Sequence, residues 1–156
     1  IVEEHAGEHG GEPVADLVVR HAPLHGIDVP EVLVPDMIDE FPALFIAAAH
    51  AQGATVVRGA AELRVKESDR LAAMANGLRA LGMRVDETPD GATIHPGALQ
   101  GGLVDSVGDH RIAMAFAVGA QRARGDVRIG DVANVATSFP GFDALARGVG
   151  FALADA

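Results

Sequence analysis

From about Val29 onward, short β-branched runs alternate with helical apolar stripes that close on glycine, and this alternation restricts the chain to an α/β layout. A strand is expected around Val32-Leu33-Val34, then a helix from about Glu40 to Gln52 stopped by Gly53, then a strand from Thr55 to Arg58. A second helix starts near Ser68, carries Leu71, Met74, Leu78 and Leu81 on one face and ends at Gly82. The turn residues Pro89-Asp90-Gly91 join two short strands, Met83 to Glu87 and Ala92 to His95. That order is βαβαββ. It begins again with a strand near Leu103-Val104-Asp105, a helix from about His110 to Ala123 and a strand at Val127-Arg128-Ile129. A helix from Phe142 to Gly148 and a last strand at Phe151-Ala152-Leu153 follow. The architecture expected is therefore a repeated α/β module, with units at about 29–96 and 102–156. Residues 1–15 lack periodicity and read as a mobile lead-in, with the first β-like run at Ala15 to Arg20.

Composition narrows the function classes. The chain has 156 residues, of which 49% are hydrophobic but only 4% aromatic, so its core is built from small aliphatic side chains. The formal net charge of −10 repels phosphate backbones and anionic lipid, which argues against nucleic acid and membrane surfaces as partners. The longest apolar stretch, Phe41 to Ala49, is far short of the ~20 residues of a membrane span. Without cysteine there is no disulfide framework, thiolate nucleophile or Cys-based metal site, and the cytoplasm is the expected compartment. The chain opens at Ile1 with no initiator Met and no basic, apolar leader, which suggests a fragment without a signal peptide.

The chemistry concentrates in three places. Lys66 is the sole lysine, and it lies in Arg64-Val65-Lys66-Glu67-Ser68-Asp69-Arg70, where three of the 12 cations fall within seven residues. On physical grounds alone this is first a solvated charge run at a helix start. It is also a place where helix N–H groups, a fork-shaped Arg70, a mobile Lys66 and a proton-carrying Glu67 could meet an anion. Asp109-His110-Arg111 opens another helix, with Asp109 as the natural N-cap and an almost wholly apolar continuation. Asp39 precedes a helix whose first turn contains Pro42, and it too reads either as a cap or as a site carboxylate. All three places lie where a strand gives way to a helix, the end of an open α/β sheet at which ligands bind.

Four segments together resemble the 5-enolpyruvylshikimate-3-phosphate (EPSP) synthase family. They are Ile38-Asp39-Glu40-Phe41-Pro42-Ala43-Leu44, Leu63-Arg64-Val65-Lys66-Glu67-Ser68-Asp69-Arg70-Leu71, Asp109-His110-Arg111-Ile112-Ala113-Met114 and Thr137-Ser138-Phe139-Pro140-Gly141-Phe142. Their order and spacing resemble about the C-terminal third of such an enzyme, from Pro13 onward. The resemblance implies two domains, each of three βαβαββ units, with a cleft between them; this chain would hold two units of one domain, within residues 16–156, and none of the other. It implies a carboxyvinyltransferase of aromatic amino acid biosynthesis whose substrates are phosphoenolpyruvate and shikimate 3-phosphate, with no metal or redox cofactor and with glyphosate as inhibitor. Asp39 resembles the carboxylate that holds the shikimate hydroxyls and takes the 5-hydroxyl proton. Glu67 resembles the acid and base serving C3 of the enolpyruvyl group, and Lys66 the catalytic residue that touches both substrates and relays a proton. Arg70 and Arg111 resemble the phosphoenolpyruvate clamp, with His110 beside them.

Two positions depart from the family pattern: Thr137 stands where many members have lysine, and Glu62 where many have an asparagine for shikimate. Two other functions stay in view. One is the enolpyruvyl transferase of the same fold that acts on UDP-N-acetylglucosamine, from which the Arg-x-Lys-Glu-Ser-Asp-Arg run points away. The other is that the chain alone is a non-catalytic ligand-binding or folding module that needs the rest of the enzyme. The pairs His5/His9 and His21/His25 have a four-residue spacing, but their Gly- and Pro-containing contexts do not read as helix, and no metal site is assigned to them.

Overall fold

The computed structural model describes residues 1–154. Strands β1 (Val2–His9) and β2 (Glu12–Val18) form an antiparallel hairpin in the region expected to be a mobile lead-in. Gly10 and Gly11, at φ 63° and 89°, adopt the left-handed conformations of a two-residue turn whose twist matches the right-handed twist of the strands it joins. This glycine pair was the available signal, but the charged and histidine-rich strands beside it hide the alternation. Almost every residue of the hairpin is exposed.

The first unit has the expected connectivity with one displaced strand. Val32-Leu33-Val34 does not pair: Glu31–Leu33 is a 3-10 turn led in by Pro30, and Val32 is 81% exposed. Pro30 and Pro35 remove two backbone donors from this stretch, which disfavours a ladder. The strand-like partner lies just before it. The amides of Gly26 and Val29 donate to Gln52 and Val56, while those of Gln52 and Val56 donate to Leu24 and Ile27, at 2.7–2.9 Å. This extended chain runs parallel to β3 (Thr55–Val57), and α1 (Phe41–Ala49) forms the crossover. β3 pairs with β5 (Gly91–Ile94), which pairs with β4 (Val85–Thr88), both antiparallel. Between β3 and β4 runs α2 (Arg70–Ala80).

The second unit begins with parallel strands β6 (Gln100–Asp105) and β7 (Arg124–Gly130), bridged by α3 (His110–Ala120). A short helix that sequence periodicity misses, α4 (Ala133–Ser138), precedes α5 (Phe142–Gly148). Its six residues are too few to show a stripe, and the Asn, Val and Thr among them are poor helix formers. The strand expected at Phe151 to Leu153 does not form. The Phe151 amide bonds to Ala146 at the end of α5 and the Ala152 amide to the Gln121 side chain, so the segment is a loop. Asp155 and Ala156, the end of the second expected unit, lie outside the described residues. The fold is α/β, as expected.

Helices α1, α2 and α3 touch one another pairwise, and their buried faces form one core. Phe41, Phe45, Leu71, Met74, Leu78, Ile112 and Phe116 are almost completely removed from water there. Burial of each such side chain is worth about 1.5–3 kcal/mol. Gly77 permits the approach: a Cβ at this position would lie 2.4 Å from Cζ of Phe116. This packing fixes where the three helices begin. Among the described residues no helix is long and apolar enough to cross a membrane.

Candidate active site

The three helix starts converge on one guanidinium. Arg70 opens α2 with its side chain only 1% exposed, and it is bonded to both neighbouring helix starts. Its Nε donates to Asp109 Oδ2 at 2.8 Å, and its Nη1 to Asp39 Oδ1 at 2.9 Å. Glu67 Oε2 lies 2.6 Å from Nη2 as an ion pair, yet it is not aligned as a hydrogen-bond acceptor, so Nη2 is buried without one. Arg70 thus joins three of the sequence motifs in a single cluster.

Asp109 has two tasks. It is fully buried; Oδ1 accepts from the amides of Arg111 and Ile112, capping α3, while Oδ2 accepts from Arg70 and from Ser68 Oγ at 3.1 Å. Burial would raise its pKa, but the Arg70 hydrogen bond and charge, with the Arg111 amide and Ser68 hydroxyl, hold it below the ordinary aspartate range. The turn before it is constrained. Val107 and Gly108 are both left-handed, at φ 49° and 71°, and for a β-branched valine that conformation is a true outlier. The Val107 amide donates to Asp105, and Asn134 on α4 donates to the Gly108 carbonyl, so side chains hold the turn in place.

Asp39 sits in a 3-10 turn immediately before α1. Its carboxylate receives Arg70, has Lys66 Nζ at 3.6 Å, and lies 4.0 Å from Arg111 Nη2. Partial burial pushes its pKa up, but the Arg70 hydrogen bond and the charges of Lys66, Arg111 and Arg70 prevail and lower it. At neutral pH Asp39 is therefore an ionised acceptor. Arg111 reaches back from α3 to the Asp39 carbonyl and to Glu40, each at 3.1 Å. His110, the first residue of α3, is half-buried. Asp39 and Arg111 also line one end of a shallow cavity of about 170 Å³ between α1 and α3, but Lys66, Glu67, Arg70 and His110 do not line it.

Glu62, one of the two departures, lies 2.8 Å from Lys66 Nζ. This contact is the main reason the Lys66 pKa lies above the ordinary lysine value; burial works against it, and the charge of Asp39 assists. The ammonium form is thereby held, so Lys66 is a donor at neutral pH. Replacing Glu62 with Gln removes the principal upward cause. Because Lys66 is the only lysine, an NMR titration of its Nζ reads the effect directly. The expected result is a lower Lys66 pKa with little change in folding stability, since solvent screens a pair this exposed. Thr137, the second departure, is exposed on α4, a helix that packs against α3.

Asp39, Asp86, Asp90 and Asp109 all have lowered pKa values: the first and last through Arg70, Asp86 through His95 and Arg84, and Asp90 through the Gly59 amide. For such groups the folded state binds protons less readily than the unfolded state. Their stabilisation is complete above the unfolded value of about 3.9 and is lost as pH falls through the folded values. Urea midpoints should therefore be flat with respect to these groups from about pH 5.5 to 8 and fall steeply below about pH 4. A midpoint insensitive to acid down to pH 3 would contradict this.

Among the described residues no group of three or more His, Asp or Glu side chains could hold a metal. His5 and His9 lie on β1, His21 lies outside any helix or strand and His25 in an isolated bridge to Gln52, so neither pair is presented on a helix face.

The fold is thus an α/β chain in which three packed helices begin around a buried arginine and its carboxylates. Comparison with known proteins identifies the family. The family profile described as EPSP synthase (3-phosphoshikimate 1-carboxyvinyltransferase) matches residues 1–145, and the chain belongs to this family. It is 73% identical over 153 residues to a 3-phosphoshikimate 1-carboxyvinyltransferase of Xanthomonas campestris pv. campestris (strain 8004), covering 98% of this chain and 35% of that protein. Identity is 72% to the Xanthomonas oryzae pv. oryzae (strain PXO99A) protein of the same name, with the same coverage. An EPSP synthase structure from Acinetobacter baumannii superimposes with a TM-score of 0.93 at 46% identity, over 96% of this chain and 36% of the other. The chain thus spans about a third of the length of these relatives.

Proposed function

We propose that this chain supplies one wall of the active-site cleft of a carboxyvinyltransferase. The longer enzyme moves the enolpyruvyl group of phosphoenolpyruvate to the 5-hydroxyl of shikimate 3-phosphate and releases phosphate. The observation that carries this reading is the meeting of Asp39, Glu67, Asp109 and their helix starts on Arg70, in a member of the EPSP synthase family.

In the addition step the 5-oxygen bonds to C2 of phosphoenolpyruvate, its proton passes to Asp39, and Glu67, acting in its protonated form, gives a proton to C3. In the elimination step C3 returns a proton to Glu67 as the C2–O bond to phosphate breaks, and Asp39 passes the 5-hydroxyl proton to the departing phosphate. Asp39, held ionised by Arg70 and Lys66, accepts a hydrogen bond from the hydroxyl before it takes the proton. Glu67 is more than half exposed and faces the one guanidinium nitrogen of Arg70 without an aligned acceptor. Movement of Glu67 toward substrate opens that nitrogen to a phosphate or carboxylate oxygen. Lys66 is the mobile cation shared between the substrates, and Arg111, with His110 beside it, completes the phosphoenolpyruvate contacts.

The charge balance supports a site completed by the rest of the protein. Three cations, Lys66, Arg70 and Arg111, face five carboxylates: Asp39, Glu40, Glu62, Glu67 and Asp109. Such a cluster does not by itself hold two anionic substrates, even with three helix N-termini. The remaining positive charge comes from the other two-thirds of the enzyme, and the 156-residue chain alone does not turn over. We place residues 16–156 within one domain of that enzyme and the whole enzyme in the cytoplasm. Phosphate release by the full-length protein tests the reading. It should require phosphoenolpyruvate and shikimate 3-phosphate together, and UDP-N-acetylglucosamine should not substitute as acceptor. Release with UDP-N-acetylglucosamine instead would transfer the reading to the other enolpyruvyl transferase.

A further inference from the structure

Residues 66–68 include two side chains of the proposed site, Lys66 and Glu67, yet no regular element holds them. A five-residue 3-10 turn ends at Val65, α2 does not begin until Arg70, and the Lys66 backbone is extended. Lys66 and Glu67 therefore depend on side-chain anchors at the two ends of their loop. One end is fixed by Arg70 and Ser68 bonding to Asp109. The other is fixed by Arg64, which belongs to none of the roles assigned above.

Every terminal nitrogen of Arg64 is engaged. Nε donates to the Pro89 carbonyl at 2.6 Å, Nη2 donates to the Thr88 carbonyl at 2.6 Å and to Glu87 at 2.9 Å, and Nη1 donates to Asp69 Oδ2 at 2.9 Å. The last bond closes a ring of chain from residue 64 to 69 around Lys66 and Glu67. Asp69 is also the α2 N-cap, accepting from the Ala72 amide through Oδ1, so its two oxygens link the clamp to the helix that carries Arg70. The other three bonds fasten the loop to the β4–β5 turn, where Asp90 accepts from the Gly59 amide and the Thr88 hydroxyl.

We infer that Arg64 is a positioning residue: its guanidinium staples the loop bearing Lys66 and Glu67 to the β4–β5 turn and so sets where those side chains meet the reacting atoms. It touches neither substrate and takes no proton. The inference rests on the assignment of Lys66 and Glu67 as the residues that serve both substrates and C3. The job needs a planar fork. A lysine ammonium placed at residue 64 has no geometry that reaches two carbonyls and two carboxylates at once.

The test is steady-state kinetics of the full-length enzyme carrying Arg64→Lys, with Glu87→Gln as a milder companion that leaves both carbonyl contacts in place. Misplacement of a catalytic group by about 1 Å costs on the order of 100-fold in rate. Arg64→Lys should lower kcat by about 10- to 100-fold, with both KM values within about threefold of the parent and the thermal midpoint within a few degrees. Glu87→Gln should lower kcat less than Arg64→Lys does. An Arg64→Lys enzyme that is folded and turns over within about twofold of the parent overturns the inference. So does a loss of kcat in proportion to loss of folded protein in both variants. If Glu67→Gln leaves turnover intact in the same assay, the assignment of Glu67 fails, a result separate from that of Arg64.

Discussion

Glu67→Gln in the full-length enzyme should lower kcat by about 10²- to 10⁴-fold, the range associated with loss of one general acid–base group. KM for either substrate should change little. The reasons are geometric. Glu67 stands at the exposed edge of the cluster, 2.6 Å from a guanidinium nitrogen, on a loop pinned at Arg64 and at Arg70. The amide of glutamine keeps the size and an acceptor oxygen beside Arg70 but has no proton to exchange with C3. Under the proposed function the same group gives the proton in addition and removes it in elimination, so both halves of the reaction should slow. Rapid-quench analysis should find no build-up of the tetrahedral adduct. Parental turnover by a folded Glu67→Gln enzyme would remove Glu67 from the proton path.

Asp109→Ala should be the most destabilising single change in the site, by about 3–5 kcal/mol, because it strips a buried guanidinium of its fully buried partner. The same change uncaps α3 and leaves Ser68 Oγ without its acceptor. Set against a typical stability of 5–15 kcal/mol, that is a large fraction of the whole. Asp109→Asn retains a good cap and one acceptor oxygen, and should cost clearly less. Urea unfolding of the full-length variants measures both. A loss no larger than the roughly 0.5–2 kcal/mol of an N-cap would mean that Asp109 is an ordinary cap and that Arg70 is held by Asp39 and Glu67 alone.

Much of this arrangement was legible in the residues. The α1, α2 and α3 stripes placed three helices within a few residues of their observed limits, and glycines after the first two marked their ends. The rule that ligands gather where strands give way to helices brought Asp39, the Lys66 segment and Asp109-His110-Arg111 to one end of the fold. What could not be read was the hub. The sequence presents Arg70 either as part of a solvated charge run or as a fork for an anion, whereas it is buried and already bound to carboxylates from three segments, two of them more than 30 residues away. Such contacts depend on tertiary packing, which a local charge pattern does not contain. Arg64 is hidden for the same reason, since three of its four partners lie at a turn more than 20 residues downstream. The displaced strand has a different origin: a three-residue apolar run between prolines outscored an extended segment that contains His25, Gly26 and Asp28. The hairpin at the N-terminus escaped because its residues bury almost nothing, and period-two patterning reports burial.

The central claim is that these scattered motifs form one substrate-binding surface within the longer enzyme. It is tested most directly by amide NMR of the isotopically labelled full-length protein, titrated with shikimate 3-phosphate and then phosphoenolpyruvate. Within this segment, the account predicts the largest shifts at Asp39, at Lys66 to Arg70 and at Asp109 to Arg111, with the β1–β2 hairpin unmoved. Saturating substrates that leave those three stretches unshifted while the enzyme turns over would contradict it.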